Sequence, residues 1–350
     1  MGKILITGSG GLIGSEACRF FLEKGDEVLG IDNNLRKYFF GEKGDTSKNL
    51  VPLEEHPKFK NYNFDLRERK MVVGFLKEKG PFDLIIHAAA QPAHDWAVKE
   101  PFTDFDVNAV ATFNMLEAFR LYSSKGVFVY TSTSKVYGDN PNKVNLIEMD
   151  KRFDYSIDQD LIGVTTKGIN EKFSIDQCTH SLFGASKCAA DIACQEYGRY
   201  FNLNIGIFRP GCLTGPQHSA VELHGFLNYI IECAVQNKPY TVFGYKGKQV
   251  RDQIHSYDVV NAIYHFYKNP KQGEVYNLGP GKENTISILE VIDILKEEHG
   301  IELNYTYEED NRIGDHICFY CDPSKFMKDY PEWKVTKNLK QIIKEIVEAK

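Results

Sequence analysis

Gly8, Gly11 and Gly14 stand three residues apart in Thr7-Gly8-Ser9-Gly10-Gly11-Leu12-Ile13-Gly14, between a short β-rich run and a stretch of helical spacing. A glycine at the first position permits a sharp turn, and one at the second lets backbone approach a pyrophosphate. One at the third lets a helix pack close to the strand, with its N-terminal N–H groups facing the anion. The spacing is G-x-x-G-x-x-G rather than the stricter G-x-G-x-x-G. Asp32 closes the next apolar run, eighteen residues past Gly14. A carboxylate there accepts both hydroxyls of an adenosine ribose and repels a 2′-phosphate. That favours NAD over NADP, although Arg36 nearby pulls the other way.

Other polar residues fall where a ligand can use them. Asp65, in Asn63-Phe64-Asp65-Leu66-Arg67-Glu68, is placed either to bond an adenine amino group or to cap a turn. His87-Ala88-Ala89-Ala90 ends an apolar run in small residues, which lets backbone lie against a cofactor. Asn108 sits in a helical pattern, where asparagine is poorly favoured. It either ties down a neighbouring backbone segment or decorates a solvated face. Cys318-x-x-Cys321 lacks a second Cys/His pair at zinc spacing, so no metal is expected.

The elements that must position these residues alternate. Lys3–Thr7, Glu27–Asp32, Asp83–His87, Val127–Thr131 and Asn204–Arg209 read as strands, and Leu12–Lys24, Pro101–Ser124 and Gly184–Phe201 as helices. Such alternation implies right-handed crossovers and a parallel sheet covered on both faces. The expected fold class is α/β: a Rossmann-type doubly wound parallel sheet with a smaller, partly interleaved C-terminal substrate domain. Residues 1–209 make the first domain, with 253–272 returning to it, and 210–252 with 273–350 make the second. Tyr38–Lys60 reads as a long surface excursion and Asn140–His180 as a long polar one.

Taken in order, TGSGGLIG, Asp32, HAAA, Asn108, TSTSKVYG and Gly184-Ala185-Ser186-Lys187 make the chain resemble the extended short-chain dehydrogenase/reductases over nearly its whole length. Within them it most resembles the CDP-paratose (CDP-tyvelose) 2-epimerases. The resemblance implies a tightly held NAD, a nucleotide-sugar substrate carrying CDP, and transient oxidation and re-reduction at sugar C2. An epimerase or reductase acting at another carbon, such as C4, is one rival; a silent NAD and sugar-nucleotide binding protein is another. Implied cofactor contacts are Gly8, Gly11, Leu12, Ile13, Gly14, Asp32, Asn33, Arg36, Asp65, Leu66, Ala88, Ala89, Ala90, Asn108, Thr131, Lys187 and Arg209. Implied substrate contacts are Gln91, His94, Ser132, Thr133, His180, Cys212, Phe243, Arg251 and Arg312.

Thr133 falls where the family places a catalytic Ser or Thr, whose hydroxyl donates to the oxygen that becomes a carbonyl. Ser134-Lys135 follows it where 4,6-dehydratases carry an Asp-Glu acid–base pair, which disfavours water elimination. The family's Tyr-x-x-x-Lys reads Phe183-Gly184-Ala185-Ser186-Lys187. The lysine that orients the nicotinamide ribose is kept; the phenol that takes the hydroxyl proton is not. Losing a general base costs about two to four orders of magnitude in rate. Phe183 is therefore an engineered block, or native with another base at work, or the mark of a binding protein. His180, Cys212 and His94 are the candidate replacement bases. Arg251, in Val250-Arg251-Asp252, and Arg312, in Asn311-Arg312-Ile313-Gly314-Asp315-His316, carry guanidinium forks suited to a diphosphate and base. Phe243 offers a face to the base. His255 and Asp258 are expected to orient the Arg251 segment and cap the next helix, and Leu223-His224-Gly225-Phe226 to close over the sugar.

Lys plus Arg number 42 against 48 Asp plus Glu, net −6, a balance that argues against nucleic acid as a partner. No apolar run reaches the roughly 18 residues that cross a bilayer, and the N-terminus shows no signal-peptide pattern. Eight scattered cysteines suit a reducing compartment. The expectation is a cytoplasmic protein with no membrane partner. The resemblance adds a homodimer formed through Pro101–Ser124 and Gly184–Phe201.

Overall fold

In the computed structural model, which describes residues 1–222, 224–311 and 314–350, the aliphatic runs of the N-terminal half become largely buried strands. They are β1 (Lys3–Thr7), β2 (Glu27–Ile31), β3 (Phe59–Tyr62), β4 (Leu84–His87), β5 (Val127–Thr131) and β6 (Asn204–Pro210), with β7 (Glu274–Leu278) at one edge. The sheet order is β7-β6-β5-β4-β1-β2-β3, and the pairings from β6 to β3 are parallel. Thr7 aligns with both Ile31 and His87, His87 with Tyr130, and Thr131 with Phe208. The carboxyl ends of these strands therefore share one edge. β1, flanked by β2 and β4, is where the strand order reverses, the position at which open α/β sheets bind ligands.

Three helices matter for the site: α1 (Leu12–Glu23), α2 (Ala111–Tyr122) and α3 (Ser181–Tyr200). Leu5, Leu76, Ile85, Met115, Phe119, Phe128, Cys194 and Ile205 share one buried cluster. The expected single helix Pro101–Ser124 is interrupted: Pro101–Phe105 runs into α2 through a π-helical segment, Asp106–Val110. A π-turn shifts the helical register by one residue, a device common at functional sites. The Tyr38–Lys60 excursion is also more ordered than its glycines and Pro52 suggest. Helices Leu35–Phe40 and Ser47–Glu54 lead through it into β3. Phe39 packs on Trp96 with ring centroids 4.5 Å apart, and Asn49 Nδ2 donates to Gly10 O at 2.9 Å.

Gly14 shows why α1 lies where it does. A Cβ there would fall 1.9 Å from Gly8 O, whereas one on Gly11 would meet only Gly8 O at 3.2 Å. Gly14→Ala should cost about 1–3 kcal/mol by overpacking, and Gly11→Ala less, in urea titrations read by circular dichroism. Equal losses would contradict this packing.

The chain forms two compact units: Met1–Val136 with Leu182–Arg209 and Val259–Tyr276, and Tyr137–Ser181 with Pro210–Asp258 and Asn277–Lys350. These boundaries differ from the expected ones. Tyr137–Ser181 belongs to the second unit because its hydrogen bonds go there. Tyr137 Oη donates to Asn277 Oδ1 at 2.7 Å, Ile169 N to Tyr320 O at 2.9 Å, and Phe153 N to Lys248 O at 3.0 Å. In that unit Val250–His255 pairs with Cys212–Thr214, Thr285–Ser287 and Cys318–Phe319. Leu227, Ile231, Val291, Leu295, Ile343 and Ile346 form its apolar core.

Candidate active site

The glycine turn is held open toward an anion. Gly8 has φ 69, and a Cβ on it would press within 2.8 Å of Ala89 N. α1 begins after Gly11 with no capping side chain and no acid in its first turn. Its leading N–H groups are thus left for a ligand. Asp32 accepts Gly10 N–H at 2.8 Å on one oxygen and Asn34 N–H at 2.7 Å on the other. Burial raises its pKa against those two bonds, and each oxygen keeps a lone pair for a hydroxyl. Asn33 Nδ2 reaches Asp65 at 3.4 Å, and Asp65 is held by Arg67 through bonds of 3.0 and 2.8 Å. Arg36 lies over the Phe40 ring at 4.7 Å, where burial lowers its pKa to about 10. Leu66 and Ile13 are core residues.

The Ala88–Ala90 segment is fixed by a directional relay. Ala89 N–H donates to Thr7 Oγ1 at 3.3 Å, and Thr7 Oγ1 lies 2.7 Å from His87 Nδ1. On the other side His87 Nε2 lies 3.0 Å from Thr112 Oγ1, which donates to Asn108 O at 2.6 Å. These directions place the imidazole proton on Nε2. Burial pushes His87 down to about 3, with the Lys187 charge pushing the same way. An unfolded chain binds that proton at about pH 6.5, so stability falls by up to about 1.4 kcal/mol per pH unit between the two values. Asp252, raised by burial to about 6, acts in the opposite sense below that pH. His87→Gln should therefore flatten the acid-side loss of stability relative to the unsubstituted chain in denaturant titrations at pH 7, 6, 5 and 4. Parallel curves would contradict the assignment.

At the end of β5 the side chains diverge in role. Thr131 Oγ1 donates to His87 O at 3.0 Å, and Thr131 O accepts Lys187 Nζ at 2.8 Å. Lys187 is buried, lies 4.4 Å over the Tyr130 ring, and is pushed by burial down to about 8. Ser132 Oγ donates to Asp191 at 2.5 Å, and Arg209 grips both Asp191 oxygens at 2.9 and 2.8 Å. Ser132 and Arg209 are therefore tied into a buried ion pair that fixes the strand end. Thr133 follows them, half-buried, with Oγ1 accepting Lys135 N–H at 3.2 Å.

Asn108 and Gln91 are likewise positioning residues. Asn108 Oδ1 accepts Gln91 N–H at 2.9 Å and its Nδ2 reaches Gln91 O at 3.0 Å. The Gln91 amide bonds Asp104 and Ala93 O, and so is consumed internally. Asp104 takes Ser186 Oγ at 2.6 Å, one turn along α3 from Phe183. Phe183 is buried, with the His94 ring edge-on to it at 5.0 Å.

Residues 4–279 match the model of the NAD dependent epimerase/dehydratase family. The CDP-paratose 2-epimerase of Salmonella typhi is 32% identical over 323 residues, 89% of this chain and 90% of that protein. This chain belongs to the NAD dependent epimerase/dehydratase family. The UDP-glucose 4-epimerase of Neisseria meningitidis serogroup C is 28% identical, across 99% of this chain and 96% of its own. In fold, the UDP-glucuronic acid 4-epimerase of Bacillus cereus, solved with UDP-glucuronic acid and NAD, matches with a TM-score of 0.79 at 23% identity, over 99% and 98% of the two chains.

In this family member the second unit holds the remaining candidates. Arg251 is buried and directed inward, with its guanidinium on Asp315 Oδ1, Val250 O and His316 O. The two motifs assigned to substrate thus bind each other. Cys212 pairs in strand register with Gln253, His180 lies beside Cys178 Sγ at 3.6 Å, and Phe243 ends the strand Tyr240–Phe243. His255 Nδ1 accepts Tyr257 N–H at 3.0 Å, a local cap as expected. Asp258 instead binds Thr336 and Lys337 of the C-terminal segment. Arg312 and Leu223 lie outside the described residues.

Sequence reasoning missed Asp191, Asp104, Ser186 and Thr112. Two carried a signal: Asp191 is four residues after Lys187 and Asp104 four before Asn108, which puts each pair on one helical face.

Proposed function

We propose that the protein is an NAD-dependent nucleotide-sugar 2-epimerase acting on a CDP-linked sugar. The observation that carries the reading is 32% identity to a CDP-paratose 2-epimerase across 89% of the chain. Retention of Thr133 and Lys187 supports it, and Ser134-Lys135 in place of an acid–base pair counts against dehydration. The residues present fit NAD: the uncapped start of α1 suits a pyrophosphate, the open side of Gly11 gives it room, and Asp32 suits a 2′,3′-diol. When bound, the cofactor supplies a reversible hydride acceptor. Lys187 fixes the ribose through its buried charge, and Thr133 donates to the sugar oxygen as carbonyl character develops. Asp191 and Arg209 hold the strand end that carries Thr133. The test is chromatography of CDP-paratose and UDP-glucose after incubation with purified protein and no added NAD. Conversion of the CDP-sugar alone is expected, and conversion of UDP-glucose alone would move the reading to C4.

Phe183 favours a second reading, a protein that binds NAD and a sugar nucleotide without turnover. Tight CDP-sugar binding with no product from any probe would select it. A homodimer is also proposed, supported by exposed Phe102, Phe105, Phe113, Leu182 and Ile192 on Pro101–Tyr122 and α3. Eight free thiols support a cytoplasmic setting. No described helix is long and apolar enough to cross a membrane.

A further inference from the structure

We propose that His94 takes the proton that a tyrosine at position 183 would otherwise take. The proposal rests on the epimerase reading above. The chain keeps the hydroxyl and the lysine, but Phe183 has no group able to accept a proton. The His94 ring meets the Phe183 ring edge-on, centroids 5.0 Å apart and planes at 75°. An imidazole is thus built beside the place where the phenol is missing, and an unperturbed imidazole exchanges protons near neutrality.

The contact is fixed by a buried device that joins the two segments. His94 follows Gln91-Pro92-Ala93, and Gln91 is bound at its N–H and C=O by Asn108 and at its amide by Asp104 and Ala93. Asp104 accepts Ser186 Oγ at 2.6 Å, and Asn108 Nδ2 reaches the same hydroxyl at 3.1 Å. Ser186 lies 3.0 Å from Phe183 O. One polar cluster therefore locks the segment leading into the helix His94–Lys99 to the first turns of the helix carrying Phe183 and Lys187. The other two candidate bases, His180 and Cys212, belong to the second compact unit. In the step, the C2–H bond would break, with bound NAD supplying the acceptor for its hydride. The O–H bond breaks and its proton goes to a ring nitrogen of His94, leaving a C2 carbonyl. The reverse transfers on the other face complete inversion.

The experiment is a double-variant cycle on the holoprotein with CDP-paratose. His94→Gln should lower kcat by about 10²–10⁴ with Phe183 in place, and by no more than about tenfold in the Phe183→Tyr background. Rescue by a phenol separates proton acceptance from mere packing. Independently of turnover, a ring nitrogen resonance of His94 in 15N-histidine-labelled protein should shift on adding CDP-paratose, whose binding calorimetry confirms. Equal kcat losses in both backgrounds, or no shift despite binding, would overturn the proposal while leaving the epimerase reading intact. No calorimetric binding of CDP-paratose to the unsubstituted protein would overturn the substrate reading and this proposal with it.

Discussion

Arg209→Ala should destabilise the protein by about 3–5 kcal/mol, because it leaves the Asp191 carboxylate buried without its counter-charge. Both side chains of the pair are at most 5% exposed. Ser132 and Gln195 still donate to Asp191 after the change, but neutral donors do not replace a bidentate guanidinium. For a chain of this size the loss corresponds to a Tm lower by roughly 4–7 °C. Calorimetry checks it, and the double replacement Arg209→Met with Asp191→Leu, which removes both charges, should recover most of the stability. A small loss for Arg209→Ala alone would mean that water reaches Asp191. Turnover should fall as well, because the same carboxylate anchors Ser132, the neighbour of Thr133.

Lys187→Met should separate activity from stability in the opposite sense. The ammonium is buried and pushed down to about 8, so its charged form is a cost to the folded state. An apolar side chain of similar length removes that cost, and Tm should stay level or rise. The charge proposed to orient the nicotinamide ribose disappears with it, and kcat should drop by about 10²–10³, the scale for removing one preorganised donor. Parallel measurement of Tm and kcat decides. A stable Lys187→Met enzyme with unimpaired turnover would remove Lys187 from the site, whereas an unfolded one would make it a structural residue.

The legible parts of this molecule are those encoded locally. The glycine turn, Asp32 and the Gly184-Ala185-Ser186-Lys187 stretch depend on a few consecutive residues or one strand-to-helix transition, and each sits where its spacing implied. The polar clusters depend on distant partners. Arg209 meets Asp191 across β6 and α3, and Ser186 meets Asp104 across 82 residues. No periodicity encodes such pairings, so the bracing bonds of Arg209, Ser132 and Gln91 are not legible in the sequence. Arg251 follows the same pattern. Its motif and the segment holding Asp315 were both recognised as special, and the structure makes them partners of each other. Tyr137–Ser181 clusters with the second unit for the same reason, since its bonds go to Lys248, Asn277 and Tyr320.

The proposed reaction is inversion at C2 by hydride transfer within the bound complex. Proton NMR of CDP-paratose in D2O with catalytic amounts of the protein, and no NAD added, tests it most directly. The C2 epimer should accumulate to an equilibrium mixture with the hydrogen at C2 retained as protium, because the hydride never exchanges with solvent. Deuterium at C2, or inversion at another carbon, would contradict it.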